Sequence, residues 1–260
     1  MSSVAVEKHG HVAVVRLNRP EARNAFDGPL ARALGAAVDQ VEEDPQLRVA
    51  VLTAAVTEPR PVFCAGHDLR TIEDEFGGGD QAATERGGFA GFVTYPRTKP
   101  WVAAVDGLAT SGGLEIVLAC DLVVATRRSS FALAEVRWGL VAGAGGLFRL
   151  PQAVGRAAAM DMLLTGEPIG ASRAHQLGLV GTLVDGDALA TALDRARRVA
   201  AAGPLAVRAS RRVCDRSFSL GEEQLWHESD RALAEIMGSD DLAVGLAGFA
   251  TRTTPTFAGR

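Results

Sequence analysis

The 260-residue sequence predicts an α/β fold of successive strand–strand–helix turns followed by a layer of helices. Three observations predict it. β-Rich apolar runs recur up to about residue 135, helical segments are interleaved with them, and the last third carries apolar positions every three or four residues with little strand signal. At 47 % hydrophobic and 22 % charged residues, the chain can bury a substantial core and is not disordered, so one large domain, or a core with a small appendage, is expected.

The opening VAVEKHGHVAVVRLN offers two short strands around His9 and Gly10, a hairpin whose glycine accepts a positive φ. From Asp27 as N-cap, with Pro29 in the first turn, Leu30, Leu34, Val38 and Val41 recur at helical spacing until Asp44-Pro45 ends the pattern. RVAVLTA at 48–54 and PVFCAG at 61–66 are strands and lead into helical segments that start near Asp68. WVAAVDG, DLVVAT and FALAE continue the series, with a helix between the first two. Segments 188–202, 205–216 and 219–237 are helical, the last opened by a capping box of Ser219 with Glu222. The polar stretch 75–88, with GGG at 77–79, is expected to be a mobile insert.

The formal net charge of −4 gives no field that would recruit a polyanion, so nucleic acid is not an expected partner. Lys8 and Lys99 are the only lysines, so an anion site built from side-chain cations relies on arginine, whose planar fork suits phosphate. Three cysteines, Cys64, Cys120 and Cys214, have no close spacing and sit in apolar surroundings; they read as buried thiols of a cytoplasmic protein rather than a disulfide framework or zinc site. No apolar run precedes Lys8 as in a signal peptide, and the most apolar stretch, 114–125, is broken by Glu115 and Asp121, so neither a signal peptide nor a membrane span is expected. His9, His11, His175 and His227 lack metal-ligand spacing, and no metal is expected. The arginines at 208, 211, 212 and 216 read as a solvated or intersubunit helix face in preference to a phosphate site.

Two segments place glycines where a strand passes into a helix: CAGHDL at 64–69 and TSGGLE at 110–115. Such junctions leave backbone N–H groups without intrahelical partners, and two of them aimed at one oxygen would form an oxyanion hole. Glu115 lies just inside the second junction, in the apolar run LEIVLAC, and Glu135 interrupts the β-like stretch FALAEVRWGL. Buried carboxylates are costly, so each needs a reason. Together they could hold a water and exchange protons as acid and base, with pKa values raised by burial and by each other; alternatively each pairs with an arginine, for example Glu135 with Arg137 or Arg149.

At these residues the sequence resembles the enoyl-CoA hydratase/isomerase (crotonase) superfamily. The resemblance runs in order through LNRPEARNAF (17–26), VFCAGHDL (62–69), KPWVAAVDGLATSGGLEIVLACDLVVAT (99–126), FALAEVRWGLVAGAGGLFRLPQAVG (131–155), LTGEPIGASRAHQLGLV (164–180) and FATRTTPTFAGR (249–260). It implies a crotonase-like ββα spiral (the ClpP/crotonase fold) with a catalytic core over 1–200 and a helical C-terminal trimerisation region over 201–260. A homotrimer or dimer of trimers is the implied assembly. By position, the oxyanion donors fall on the backbone N–H groups of His67 and Gly112, and the catalytic glutamates on Glu115 and Glu135. The coenzyme A contacts fall on Ala22 and Arg23 and on the loop carrying Ala65, His67, Asp68, Leu69 and Arg70. Arg252 matches a basic position that reaches a neighbouring subunit's ligand in some relatives.

The implied reaction is reversible hydration of a 2-enoyl-CoA thioester through a stabilised enolate, as in β-oxidation of fatty acids. No separate cofactor is implied, since coenzyme A enters as part of the substrate. Retention of both glutamates favours hydration, because single-carboxylate members more often shift double bonds. The alternatives are an isomerase, a hydratase specialised for carnitinyl-type or branched thioesters, a non-catalytic acyl-CoA or RNA-binding relative, and a scaffold subunit. The sequence departs from the family pattern at His67, where a small residue is common, at Ser111, where glycine is frequent, and at Ala142, where proline is frequent. Trp101, Trp138 and Trp226 read as packing residues, with Trp138 a candidate wall of the acyl channel.

Overall fold

The computed structural model describes residues 2–56, 58–72, 75 and 77–260. The chain opens on an antiparallel hairpin, β1 (Val4–His9) and β2 (Val12–Leu17), whose turn uses Gly10 at φ +64°. Helix α1 (Gly28–Glu43) follows, capped by the Asp27 carboxylate, which accepts from the Leu30 N–H at 2.9 Å. Three strand pairs then wind onward: β3 (Val49–Ala54) with β4 (Val62–Cys64), β7 (Trp101–Val105) with β8 (Leu108–Thr110), and β9 (Leu122–Thr126) with β10 (Ser130–Ala132). A small hairpin, β5 (Ala83–Thr84) and β6 (Gly88–Phe89), interrupts the first turn. Helix α2 (Gly112–Leu118) completes the second.

Each turn contributes its first strand to one sheet and its second to another. The six-stranded sheet runs β1-β2-β3-β7-β9-β12 and the four-stranded one β11-β10-β8-β4, with β11 at Ile169–Gly170 and β12 at Thr182–Val184. All pairings from β2 to β12 in the larger sheet are parallel, as right-handed crossovers require. This is the expected ββα spiral.

Period-two alternation explains how the large sheet is buried on both faces. Ala13, Val15, Ala50, Leu52, Trp101 and Ala103 enter the main core with α1 and α2, while Val12, Val14, Val49, Val51, Val102 and Ala104 point the other way. That second face is covered by α6 (Ala188–Ala201), whose Ala188, Ala192, Ala196 and Ala200 form a stripe small enough for close approach. Between the spiral and α6 lie α3 (Gly146–Val154), α4 (Arg156–Thr165) and α5 (Ala171–Leu177); beyond it come α7 (Pro204–Arg216), α8 (Glu222–Met237) and α9 (Asp240–Thr251).

Several expectations are corrected. Helix α8 starts at Glu222, not Ser219: Gly221 is its cap and donates its N–H to the Gln224 side chain, while Ser219 donates to the Arg216 carbonyl in the preceding turn. Cys64 is buried and Cys120 half-buried, but Cys214 is exposed on α7, in an open apolar groove with Ala209, Val213 and Leu233. Trp101 is buried as expected, whereas Trp226 stands exposed on α8. The helical start expected near Asp68 falls on residues 69–75, of which 73 and 74 lie outside the described residues, as does 76 in the expected mobile insert.

Candidate active site

Two loop–helix junctions meet at one end of the small sheet. The 22–26 strip runs beside the 64–68 loop: Ala65 N–H donates to the Arg23 carbonyl at 3.0 Å, Phe26 N–H to Gly66 at 2.7 Å, and Asp68 N–H to Phe26 at 2.9 Å. This short parallel pairing uses the groups of Gly66 and Asp68 and leaves the His67 N–H out of it. Gly66 adopts φ +91° and lies so close to the second junction that a Cβ on it would sit 2.8 Å from the Gly112 nitrogen. Only glycine satisfies both conditions.

At the second junction Ser111 holds φ +53° and ψ −129°, a conformation that disfavours a side chain, and Gly112 begins α2. A Cβ at Gly112 would collide with the Phe89 ring at 2.5 Å, so this residue presents bare backbone. Neither the His67 nor the Gly112 N–H has an acceptor among the described residues, and both residues line the same cavity of about 640 Å³.

Glu115 projects from the first turn of α2 into that cavity's wall and is 3 % exposed. Its Oε1 accepts from the Gly146 N–H at 2.9 Å, at the start of α3, where the helix dipole favours a negative charge. Burial raises its pKa, and the Gly146 and Ala144 amides and the Arg149 charge pull it back. Glu135 opens a 3-10 turn (Glu135–Trp138) just beyond β10, not a strand interior as its apolar neighbours suggested. It is 8 % exposed, and its Oε2 has no hydrogen-bond partner among the described residues. Burial first, and the Glu115 charge as well, push its pKa up to about 7 against lesser opposition from its own N–H and the Ser111 hydroxyl.

The arginine-pairing alternative is not what the structure adopts. Arg137 donates to the Thr165 carbonyl at 3.0 Å and pairs with Glu167 at 3.8 Å. Arg149 donates to the carbonyls of Ala144 and Val93. Both glutamates line the cavity with Ser111, Thr110, Ala65, Leu69 and the aromatic rings of Phe89, Trp138 and Phe148. Trp138 is 70 % exposed and so stands on the open side of this channel and not in the core.

A model of the enoyl-CoA hydratase/isomerase family matches residues 7–260. The chain belongs to that family. It is 35 % identical to the enoyl-CoA hydratase EchA19 of Mycobacterium tuberculosis, over 98 % of this chain and 96 % of that protein. Identity is 38 % to the (E)-benzylidenesuccinyl-CoA hydratase of Thauera aromatica, over 98 % and 99 % of the two chains. Among solved structures, an enoyl-CoA hydratase from Mycobacterium tuberculosis H37Rv superposes with a TM-score of 0.93 at 40 % identity, covering 100 % of both chains. The crotonase fold is thereby shown over the whole chain.

Of the site residues expected from the sequence, Ala65, His67, Leu69, Gly112, Glu115 and Glu135 are brought to one cavity. Ala22, Arg23, Asp68 and Arg70 do not line it. Arg23 and Arg70 are exposed, and Ala22 ends a 3-10 turn beside the loop. Asp68 is consumed by Arg19 at 3.0 Å and Arg70 at 2.7 Å, which hold its carboxyl well below the usual range. Arg252, in the left-handed region after α9, is exposed and away from the cavity wall.

Sequence reasoning missed two features. The GAGG run at 143–146 is a third glycine-rich entry to a helix, the same signal that marked the other two, and its amides hold Glu115. Glu75 is buried in the expected insert and bonds the His67 ring Nε2 at 2.7 Å, the Thr71 hydroxyl at 2.8 Å and the Ala82 N–H at 3.2 Å. A lone glutamate beside a glycine run carries no such signal.

Proposed function

We propose that the protein is a hydro-lyase that reversibly adds water across the C2=C3 bond of a 2-enoyl-CoA thioester. The observation that carries this reading is two buried glutamates on one cavity, one held by amides beside a cation and the other, among the described residues, without a donor for Oε2, next to two N–H groups that lack acceptors among those residues. The thioester carbonyl oxygen accepts from His67 and Gly112 N–H. Ionised Glu115 takes a proton from water as its oxygen bonds to C3, and the C2=C3 electron pair moves toward the thioester to form the enolate. When the enolate collapses, protonated Glu135 delivers a proton to C2, and exchange with the next water resets both carboxyls.

Coenzyme A enters as part of the substrate, and no separate cofactor is proposed. Ala22, Arg23 and the 65–70 loop form its contact strip, the exposed Arg23 and Arg70 guanidinia suiting phosphate. A homotrimer or dimer of trimers is supported by apolar side chains left open on α8 and α9, among them Leu233, Met237, Leu246 and Phe249, the last 86 % exposed. A cytoplasmic enzyme of fatty acid metabolism, without nucleic acid or membrane partners, completes the reading. Among the described residues no helix is long and apolar enough to cross a membrane.

Hydration of crotonyl-CoA and longer 2-enoyl-CoA thioesters, measured beside Glu115→Gln and Glu135→Gln, is the test. Wild-type activity with loss in both variants is expected; equal activity in all three would refute it. A hydratase for branched or polar acyl groups is the second reading, favoured by the His67 ring and Arg149 in the cavity wall. Relative rates across such thioesters decide between the two, and product analysis with a 3-enoyl-CoA separates either from an isomerase.

A further inference from the structure

Arg149 stands on α3, one turn from the amide that holds Glu115, and lines the same cavity. Its two terminal nitrogens donate to the Ala144 carbonyl at 3.3 Å and the Val93 carbonyl at 2.8 Å. The guanidinium packs on Gly145 so closely that a Cβ there would lie 2.4 Å from Nη1. The side chain therefore clamps the 144–146 turn to the 93 region of the wall. That turn carries the amides of Ala144 and Gly146 that serve the Glu115 carboxylate.

Arg149 forms no ion pair with a carboxylate among the described residues, and carbonyls leave a cation's net charge in place. The charged and titratable groups around it come from several elements. Glu115 faces it from α2, and Cys120 just beyond α2 is a thiol that burial keeps neutral up to about 12. Asp215 acts on it from α7 but is itself paired with Arg211 at 3.4 Å. Arg97, buried ahead of β7, opposes it. Glu135 faces Glu115 from its 3-10 turn and feels that carboxylate, with no cation among the described residues offsetting its burial. Of the two glutamates, only Glu115 has an arginine acting on it among the described residues.

We propose that Arg149 is a positioning residue that divides the labour of the two glutamates: it clamps the turn that holds Glu115 and leaves its own charge beside that carboxylate, so Glu115 works as the base and Glu135 as the acid. The inference rests on the hydratase reading for its chemical consequence, but the order of ionisation is a property of the protein alone. Raising Glu115 toward the pKa of its neighbour would place a proton on both carboxyls, or share one between them, in the working pH range.

Two measurements test it. In the wild-type protein labelled with ¹³C at the glutamate carboxyls, with Glu115→Gln and Glu135→Gln supplying the assignments, Glu115 titrates at lower pH than Glu135; the reverse order overturns the proposal even if no enoyl thioester is ever found to react. For Arg149→Met and Arg149→Lys, the acid limb of the kcat/KM profile for 2-enoyl-CoA hydration moves up by about one pH unit in the methionine variant and stays in place in the lysine variant. KM changes less than about threefold in both, since the thioester carbonyl is bound by other groups. An unmoved limb in Arg149→Met, or the same displacement in Arg149→Lys, overturns it. Should the methionine variant fail to fold, a displaced limb in the lysine variant does so by itself. A wild type inactive on every enoyl thioester would sink the hydratase assignment and leave the carboxyl titration to judge Arg149.

Discussion

Glu115 and Glu135 are the same residue type on the wall of the same cavity, yet their surroundings differ in kind. Glu115 lies where α2 meets the N-terminus of α3, with an amide on Oε1 and an arginine beyond it. Glu135 sits at the head of a 3-10 turn with Oε2 buried and without a partner among the described residues. Burial raises the pKa of both; backbone or hydroxyl donors oppose it at each, and among the described residues a cation opposes it at the first only. Identical side chains are thus given different electrostatic surroundings by where helix ends are placed, as the proposed acid and base require.

The most severe way to break this contrast is to remove its members. Glu115→Gln is expected to lower kcat by roughly 10²–10⁴ at every pH, because an amide cannot accept the water proton. Glu135→Gln should lose a comparable factor below pH 7, and the wild-type rate should fall above about 7 as Glu135 gives up its proton. Steady-state pH profiles of the three proteins decide; a wild-type rate that climbs steadily to pH 9 contradicts the assignment of Glu135 as the acid.

Stability reads the same difference without substrate. The folded pKa of Glu135, about 7, lies above its ordinary 4.5, so its carboxyl costs nothing while protonated in both states. As pH rises through this window the unfolded chain ionises freely and the fold must bury a charge, so stability falls, by up to about 3 kcal/mol once pH exceeds the folded pKa. Denaturant melts at pH 5 and pH 8 should show Glu135→Gln gaining on wild type at the higher pH. A constant gap would mean that the carboxyl is better solvated than its burial implies.

Gly146→Ala sharpens the comparison from the other side. An added Cβ would meet Leu133 and Ala142 at 2.8 Å and Glu115 Oε1 at 3.1 Å, displacing the amide from the carboxylate. We expect a loss of about 1–3 kcal/mol in stability and a fall in kcat larger than for any alanine substitution remote from the cavity. Retained kcat would show that this amide does not set the Glu115 charge. The smallest effect belongs to Glu75, a third buried glutamate, whose bonds to His67, Thr71 and Ala82 accompany a lowered pKa. Glu75→Gln should cost about 1–2 kcal/mol by urea titration with kcat nearly unchanged. A collapse of kcat would show that the His67 ring, and not only its N–H, takes part.

Much of the fold was legible because it repeats local signals. The alternation in VAVEKHGHVAVV, the Asp27 cap and the alanine stripe of α6 each declare an element within a few residues. The weak point was punctuation that depends on context: the capping box misplaced the start of α8 because Ser219 was already bound to the preceding turn. Residues 146–165 drew no helix assignment, since Pro151 and a mixed apolar pattern hide α3 and α4.

From the sequence alone came the strand–strand–helix order, the two glycine junctions and the pair of glutamates out of place in apolar runs, since backbone conformation and local burial are written in short stretches. Tertiary structure alone decided which carboxyl gains an amide from another helix and a nearby cation. That choice depends on an amide 31 residues away from Glu115 and on an arginine tied to the carbonyl of Val93, and electrostatic energy follows distance in space, not in sequence.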